Sequence, residues 1–128
     1  MKTILFAVGI LLLTTSVSAK NNNAVNFEKL ADAIYMAEGG SKTSHPYGIL
    51  SVKVKSKEDA RRTCLNTIRN NYIRWHKNGS KGEFLLALQN VYAPIKAGND
   101  PTGLNKNWYK NVKYYYTENI RWKIKLHS

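Results

Sequence analysis

Acidic residues are scarce in this sequence: 8 Asp and Glu stand against 20 Lys and Arg, for a formal charge of +12 over 128 residues. Such an imbalance calls for an anionic partner. Nucleic acid, acidic lipid headgroups and the bacterial cell wall all qualify. The basic residues are spread along the chain and no nucleic-acid-binding motif of known spacing is present, which suits a broad polyanionic surface and argues against nucleic acid as the partner.

Cysteine is nearly absent. Cys64 stands alone, so no intramolecular disulfide can form. It falls on the apolar side of a predicted helix, as a small core residue does. A catalytic thiol needs a lowered pKa and a nearby base, and nothing local supplies either. His45, His76 and His127 are scattered with no Cys pair beside them, so four-ligand metal spacing is missing.

Long apolar runs are missing too. Ile4 to Leu13 is the one candidate, and its ten residues are too few to span a bilayer. With Lys2 before it and the small-residue pattern Val17-Ser18-Ala19 after it, the run reads as a cleaved export signal. The expectation is a signal peptide over residues 1–19 and one domain over 20–128, exported to the periplasm or beyond. That domain is expected to be monomeric, without stable membrane insertion, and large enough for a single core. No internal repeat or long low-complexity linker divides it.

What is present reads as helix. Asn26 is a suitable N-cap for a first helix to Glu38, with Glu28 in the first turn, where the helix dipole favours an acid. Phe27, Leu30, Ala31 and Ile34 mark its apolar face, and Gly39-Gly40 stop it. Val52 and Val54 alternate with Ser51, Lys53 and Lys55, which predicts a short strand or an extended turn. A second helix opens at Ser56-Lys57-Glu58-Asp59, carries the stripe Cys64, Ile68, Tyr72 and Trp75, and stops near Asn78-Gly79. Ser80 with Glu83 predicts a capping box for a third helix bearing Phe84, Leu85, Leu88 and Val91, which Pro94 ends. Residues 94–103 are a loop by composition. A fourth helix from Asn105 carries Trp108, Val112 and Tyr115. Ile120, Trp122, Ile124 and Leu126 alternate with cations, which favours a C-terminal strand. The fold class is therefore mainly α, an α+β chain only through a short β element and that last strand.

Glu38 is the residue this pattern singles out. It lies four after Ile34, seven after Ala31 and eleven after Phe27, and so continues the buried face. Burial without a partner raises a carboxyl's pKa, and the negative end of the helix dipole pushes the same way. An acid that keeps its proton near neutrality can give it to a leaving oxygen, which fits glycosidic bond cleavage. The plainer alternative is a solvated acid at a frayed helix end.

Glu38 with Ser41 after two glycines, then Tyr47-Gly48-Ile49-Leu50-Ser51, resembles the active-site region of the lysozyme-like lytic transglycosylases. Ala87-Leu88-Gln89-Asn90-Val91-Tyr92-Ala93 is similar to a later family segment whose Tyr faces the catalytic acid. The stretch Asn99-Asp100-Pro101 to Trp108 looks like that of small phage-type members, so the likeness spans roughly residues 27 to 115. Ser51 stands where Gln is common, Ala93-Pro94 replaces Asn-Ala-Gly, and Ser41 is displaced by two positions from the usual Glu-Ser pair.

The resemblance implies a lysozyme-like helical domain that cleaves peptidoglycan glycan strands between N-acetylmuramic acid and N-acetylglucosamine. Glu38 would be the one acid and base, the product a 1,6-anhydro sugar, and no metal or organic cofactor would be required. Ser41, Tyr47, Ser51, Tyr92 and Trp108 would line the cleft, although Trp108 serves equally as a core anchor of the fourth helix. Tyr109 is a further aromatic for sugar stacking, and Tyr114, Tyr115 and Tyr116 cannot all face one way. A hydrolytic muramidase remains open, since retaining and inverting glycosidases need a second carboxylate about 5–5.5 Å or about 6.5–9.5 Å away. Asp32 is about 9 Å along and roughly 240° round the same helix, a poor position. Asp100 is the remaining candidate, although Asn-Asp-Pro is also ordinary turn chemistry. A non-catalytic cationic wall-binding protein is the third reading.

Overall fold

A computed structural model describes residues 24–50 and 52–118. The expected export signal, Ser51 and the expected strand from Ile120 to Leu126 lie outside the described residues. Among the described residues there are four α-helices, with 3-10 turns at Gly40–Lys42 and Pro46–Gly48 between the first two and one at Leu104–Asn107 before the last.

Helix α1, Phe27–Ala37, starts where Asn26 Oδ1 accepts the Lys29 amide at 2.9 Å, which satisfies one of the free N–H groups of the first turn. It buries Leu30, Ala31, Ala33, Ile34 and Tyr35. Glu38 is its C-cap, and Gly39 and Gly40 follow at φ 104° and 58°, a left-handed path that reverses the chain cheaply only for glycine. Helix α2, Lys57–Lys77, is capped by Ser56 Oγ on the Asp59 amide and buries Ala60, Cys64 and Ile68, spaced by four so that they share one face. Tyr72 and Trp75, half-buried, extend that stripe into an aromatic cluster in which Tyr72 meets Phe27 and Phe84 edge-on, both at 5.1 Å between ring centres. Arg61 fastens α2 to α1: Nη1 meets Asp32 Oδ1 and Nη2 meets Glu28 Oε2, both at 2.6 Å. Two acids of α1 are thereby committed to one guanidinium.

Helix α3 is Phe84–Tyr92, and the expected capping box at its start does not form. Ser80 is left-handed, at φ 52°, with its hydroxyl on His76 Nδ1, while the Glu83 carboxylate is taken by Tyr109 and Lys113. Tertiary partners outcompeted the local cap. Val91, read as part of the apolar face, is 53% exposed, whereas Phe84, Leu85 and Leu88 are buried.

Helix α4, Trp108–Thr117, begins three residues later than the sequence suggests, because Leu104–Asn107 forms a 3-10 turn first. It buries Trp108 and Val112 and packs chiefly along α1. Tyr114 is exposed, while Tyr115 and Tyr116 are half-buried, and the Tyr116 hydroxyl accepts the Asn26 amide at 3.1 Å. The chain is mainly helical. Among the described residues there is no strand: Val52 is exposed, Val54 is half-buried, and no second strand lies beside them to supply ladder hydrogen bonds. None of the described helices is long and apolar enough to cross a membrane.

Candidate active site

The end of α1 delivers Glu38 to the wall of a cavity of about 430 Å³, shared with Ala37, Gly39, Leu104, Asn105, Asn107, Trp108 and Asn111. Glu38 is the sole carboxylate among the described residues that line it. One carboxylate oxygen accepts the indole N–H of Trp108 at 2.8 Å, a bond that joins the end of α1 to the start of α4. On its other side the carboxyl rests against Gly48. A Cβ built there would lie 2.6 Å from Glu38 Cδ and Oε2, and Gly48 is left-handed at φ 66°. Only a glycine leaves the acid this space.

Burial pushes the Glu38 pKa above the ordinary carboxyl value, and the Trp108 hydrogen bond, which favours the ionised form, offsets part of that rise. The acid is thus biased toward keeping its proton while one of its oxygens is held in place. Those are two requirements of a general acid.

Tyr47 anchors the loop that carries Gly48. The expectation was a ring on the cleft, but the structure buries it. Only 3% exposed, the ring packs on Tyr35, and its hydroxyl accepts Arg61 Nη1 at 3.2 Å. Its backbone is left-handed at φ 61°, a conformation a bulky residue adopts only when its surroundings hold it there. Tyr92 supplies part of that hold: its hydroxyl donates to the Tyr47 carbonyl, and its ring stacks on Trp108 at 5.4 Å. Tyr92 and Trp108, distant in sequence, are therefore joined to Glu38 in one assembly with Tyr47 and Gly48. Burial also drives the Tyr92 phenol well above its usual range, so it acts as a neutral hydrogen-bond donor.

Ser41 does not join them. The turn through Gly39 and Gly40 carries it to an exposed position lining a separate hollow with Met36, Lys42 and Tyr115. Ser51 lies outside the described residues. Asp100 is occupied elsewhere, since its two oxygens accept the amides of Leu104 at 2.8 Å and Asn105 at 3.1 Å and so cap the 3-10 turn ahead of α4. Asp32 is held by Arg61. Neither acid lines the Glu38 cavity.

Sequence reasoning missed Arg61, Gly48 and the Trp108 bond. Two cues were available: Gly48 sits between a bulky residue and an apolar pair, and Arg61 lies on the Cys64 side of α2, one turn earlier. A second cavity of about 430 Å³, walled by Val25, Leu30, Trp75, Phe84, Leu85 and Tyr116, holds only the Glu83–Lys113 pair as charged groups. Among the described residues no three of His, Cys, Asp and Glu come together as a metal site would require. No family model, curated protein or solved structure matches the chain.

Proposed function

We propose that this protein is a lytic transglycosylase, an exported enzyme that cuts the β-1,4 bond between N-acetylmuramic acid and N-acetylglucosamine in peptidoglycan. The observation that carries this reading is Glu38 itself: one carboxyl with a raised pKa, pinned by Trp108 on the wall of a sugar-sized cavity that has no second acid among its described residues. Hydrolases of the usual retaining and inverting kinds use two carboxylates, whereas closure of the sugar's own 6-hydroxyl onto C1 uses one.

In this mechanism the Glu38 proton passes to the glycosidic oxygen as the bond from C1 to that oxygen breaks. The substrate's own acetamido oxygen supports the cationic C1. Glu38, now a carboxylate, takes the proton of the C6 hydroxyl while O6 closes onto C1. The acid is thereby regenerated, no water is consumed, and the product is a 1,6-anhydro sugar. Trp108 stabilises the ionised intermediate state of Glu38 through the indole N–H, and Tyr92 and Gly48 hold the geometry. Asn107 and Asn111 offer amides for sugar hydroxyls along the same cavity. The net charge, +12 for the whole chain and 12 − 1 = +11 without residues 1–19 and their Lys2, draws the protein to an anionic wall.

The test is digestion of purified peptidoglycan with wild-type and Glu38→Gln protein, followed by product masses. Anhydro ends are expected from the wild type. Glu38→Gln is expected to abolish cleavage with thermal melting near that of the wild type at low pH. Lytic activity retained in that variant removes the proposal, and reducing ends from the wild type would make the protein a hydrolytic muramidase.

A further inference from the structure

Helix α2 carries no acid after Asp59, and the chain has none before Glu83. Along one face of α2, Thr63, Thr67, Asn71 and Arg74 recur at spacings of four, four and three, which keeps them in line. The first three bond back to the helix: Thr63 Oγ1 to the Asp59 carbonyl, Thr67 Oγ1 to the Thr63 carbonyl, and Asn71 Nδ2 to the Thr67 carbonyl at 2.8 Å. Their rotamers are thereby fixed and a polar strip is laid down along the helix.

Two hollows border this strip. One, of about 270 Å³, is lined by Thr63 and Thr67 with Ile49, Leu50 and Val52, and at one end by Gly48, which rests against the Glu38 carboxyl, and Tyr92, which holds the Tyr47 carbonyl. The other, of about 380 Å³, is lined by Asn71, Arg74 and Lys81. Val91 lines both, so they meet along the groove between α2 and α3. At the far end Lys81 is set by the turn rather than by a helix: its carbonyl accepts Trp75 Nε1 at 3.0 Å, and the neighbouring Ser80 amide donates to the Trp75 carbonyl at 2.9 Å. Among the described residues no carboxylate pairs with Arg74 or Lys81. Arg74 complements the helix dipole in the last turn of α2. Lys81 lies beyond that helix, and the dipole does not account for it.

We infer that this groove binds the short carboxylate-bearing peptide arm carried by the glycan strand, with Arg74 and Lys81 receiving its terminal carboxylate. The inference rests on the transglycosylase reading for the identity of the strand. Length supports it. Thr63 to Arg74 is about 16 Å by helical rise, and an extended peptide of four to five residues covers about 13–17 Å. A peptide leaving a sugar beside Glu38 thus ends at the two cations, running past an apolar wall at Val91 and a strip of hydroxyl and amide groups. A phosphodiester polymer would need cations repeated along its length, whereas those lining these hollows sit at one end.

The experiment is co-sedimentation of full-chain Glu38→Gln protein with glycan strands that retain their peptides and with the same strands after enzymatic removal of the peptides. This variant keeps the strands intact, and the binding ratio is read whether or not Glu38 proves to be the acid. Peptide-bearing strands are expected to bind roughly tenfold more tightly, a preference that shrinks with added salt. Adding Arg74→Ala and Lys81→Ala together brings the ratio to near one, and Arg74→Lys with Lys81→Arg restores it. Lys81→Ala alone, outside every helix, gives an intermediate ratio should the double variant fold poorly. Equal binding of both strand types, a ratio unmoved by the double variant, or inorganic polyphosphate displacing the strands through these two cations would overturn the assignment.

Discussion

Trp108→Phe separates the chemistry of Glu38 from its packing. Phenylalanine keeps a ring against Tyr92 and deletes the single donor that the described residues place on the Glu38 carboxylate. A neutral N–H on a charged acceptor contributes about 1.5–3 kcal/mol where water is excluded. Glu38 is only half-buried, so water replaces part of the lost bond, and about 1 kcal/mol is the reasonable share. Losing that share of the bond raises the Glu38 pKa further, since the indole N–H favoured the ionised form. The sign follows from the bond's preference for the ionised form. A general acid must be protonated, so its pKa sets the alkaline limb of activity, and in Trp108→Phe that limb moves to higher pH. Peak activity falls because the carboxyl is less well positioned, and the smaller ring costs about 1–3 kcal/mol of stability. The assay is the pH dependence of kcat/KM on soluble glycan strands, with denaturant titration alongside. An alkaline limb that stays in place, or moves down, would refute the placement of Trp108 as the partner that holds the Glu38 pKa back.

Other perturbations probe the same assembly. Gly48→Ala puts a methyl 2.6 Å from the Glu38 carboxyl in a left-handed backbone; strain and overpacking together should cost about 2–4 kcal/mol in chemical denaturation and abolish cleavage, and unchanged values of both would contradict the packing described. Arg61→Ala leaves Asp32 and the Tyr47 hydroxyl without their shared partner; with a third of the guanidinium exposed, about 2 kcal/mol should be lost in urea titration. Because the folded state holds the Glu38 proton more tightly than the unfolded chain does, this group's contribution is complete below the ordinary glutamate range and is lost as pH rises through the raised pKa. Glu38→Gln should therefore remove that decline, and its melting temperature should exceed the wild type's at alkaline pH if the two coincide at low pH.

Where local chemistry decides, sequence was sufficient. Asn26, Ser56 and the Gly39-Gly40 stop act within a few residues, and the periodic faces of α1 and α2 gave their buried residues directly. Glu38 was legible for the same reason, since it continues a helical face. Distance in the chain hid the rest. The Trp108 bond crosses 70 positions, and no pattern near either residue announces it. Ser80 and Glu83 fit a local rule and were drawn off by His76, Tyr109 and Lys113, an instance of tertiary partners overriding a cap. Tyr47 looked like a cleft aromatic because sequence does not show that Arg61 and Tyr92 pull its loop inward. The alternation at Val52 and Val54 fits a short strand or an extended turn, and the strand needs a neighbour that the pattern cannot provide.

Cys64 has a use that packing alone does not reveal. Its side chain is fully enclosed, and burial pushes the thiol up to about 12, so hardly any reactive thiolate exists while the core is closed. In an oxidising space such a sulfur is spared cross-linking to other chains. Its alkylation rate consequently counts how often the centre of α2 opens, which turns a silent atom into a clock for unfolding in any of the variants above.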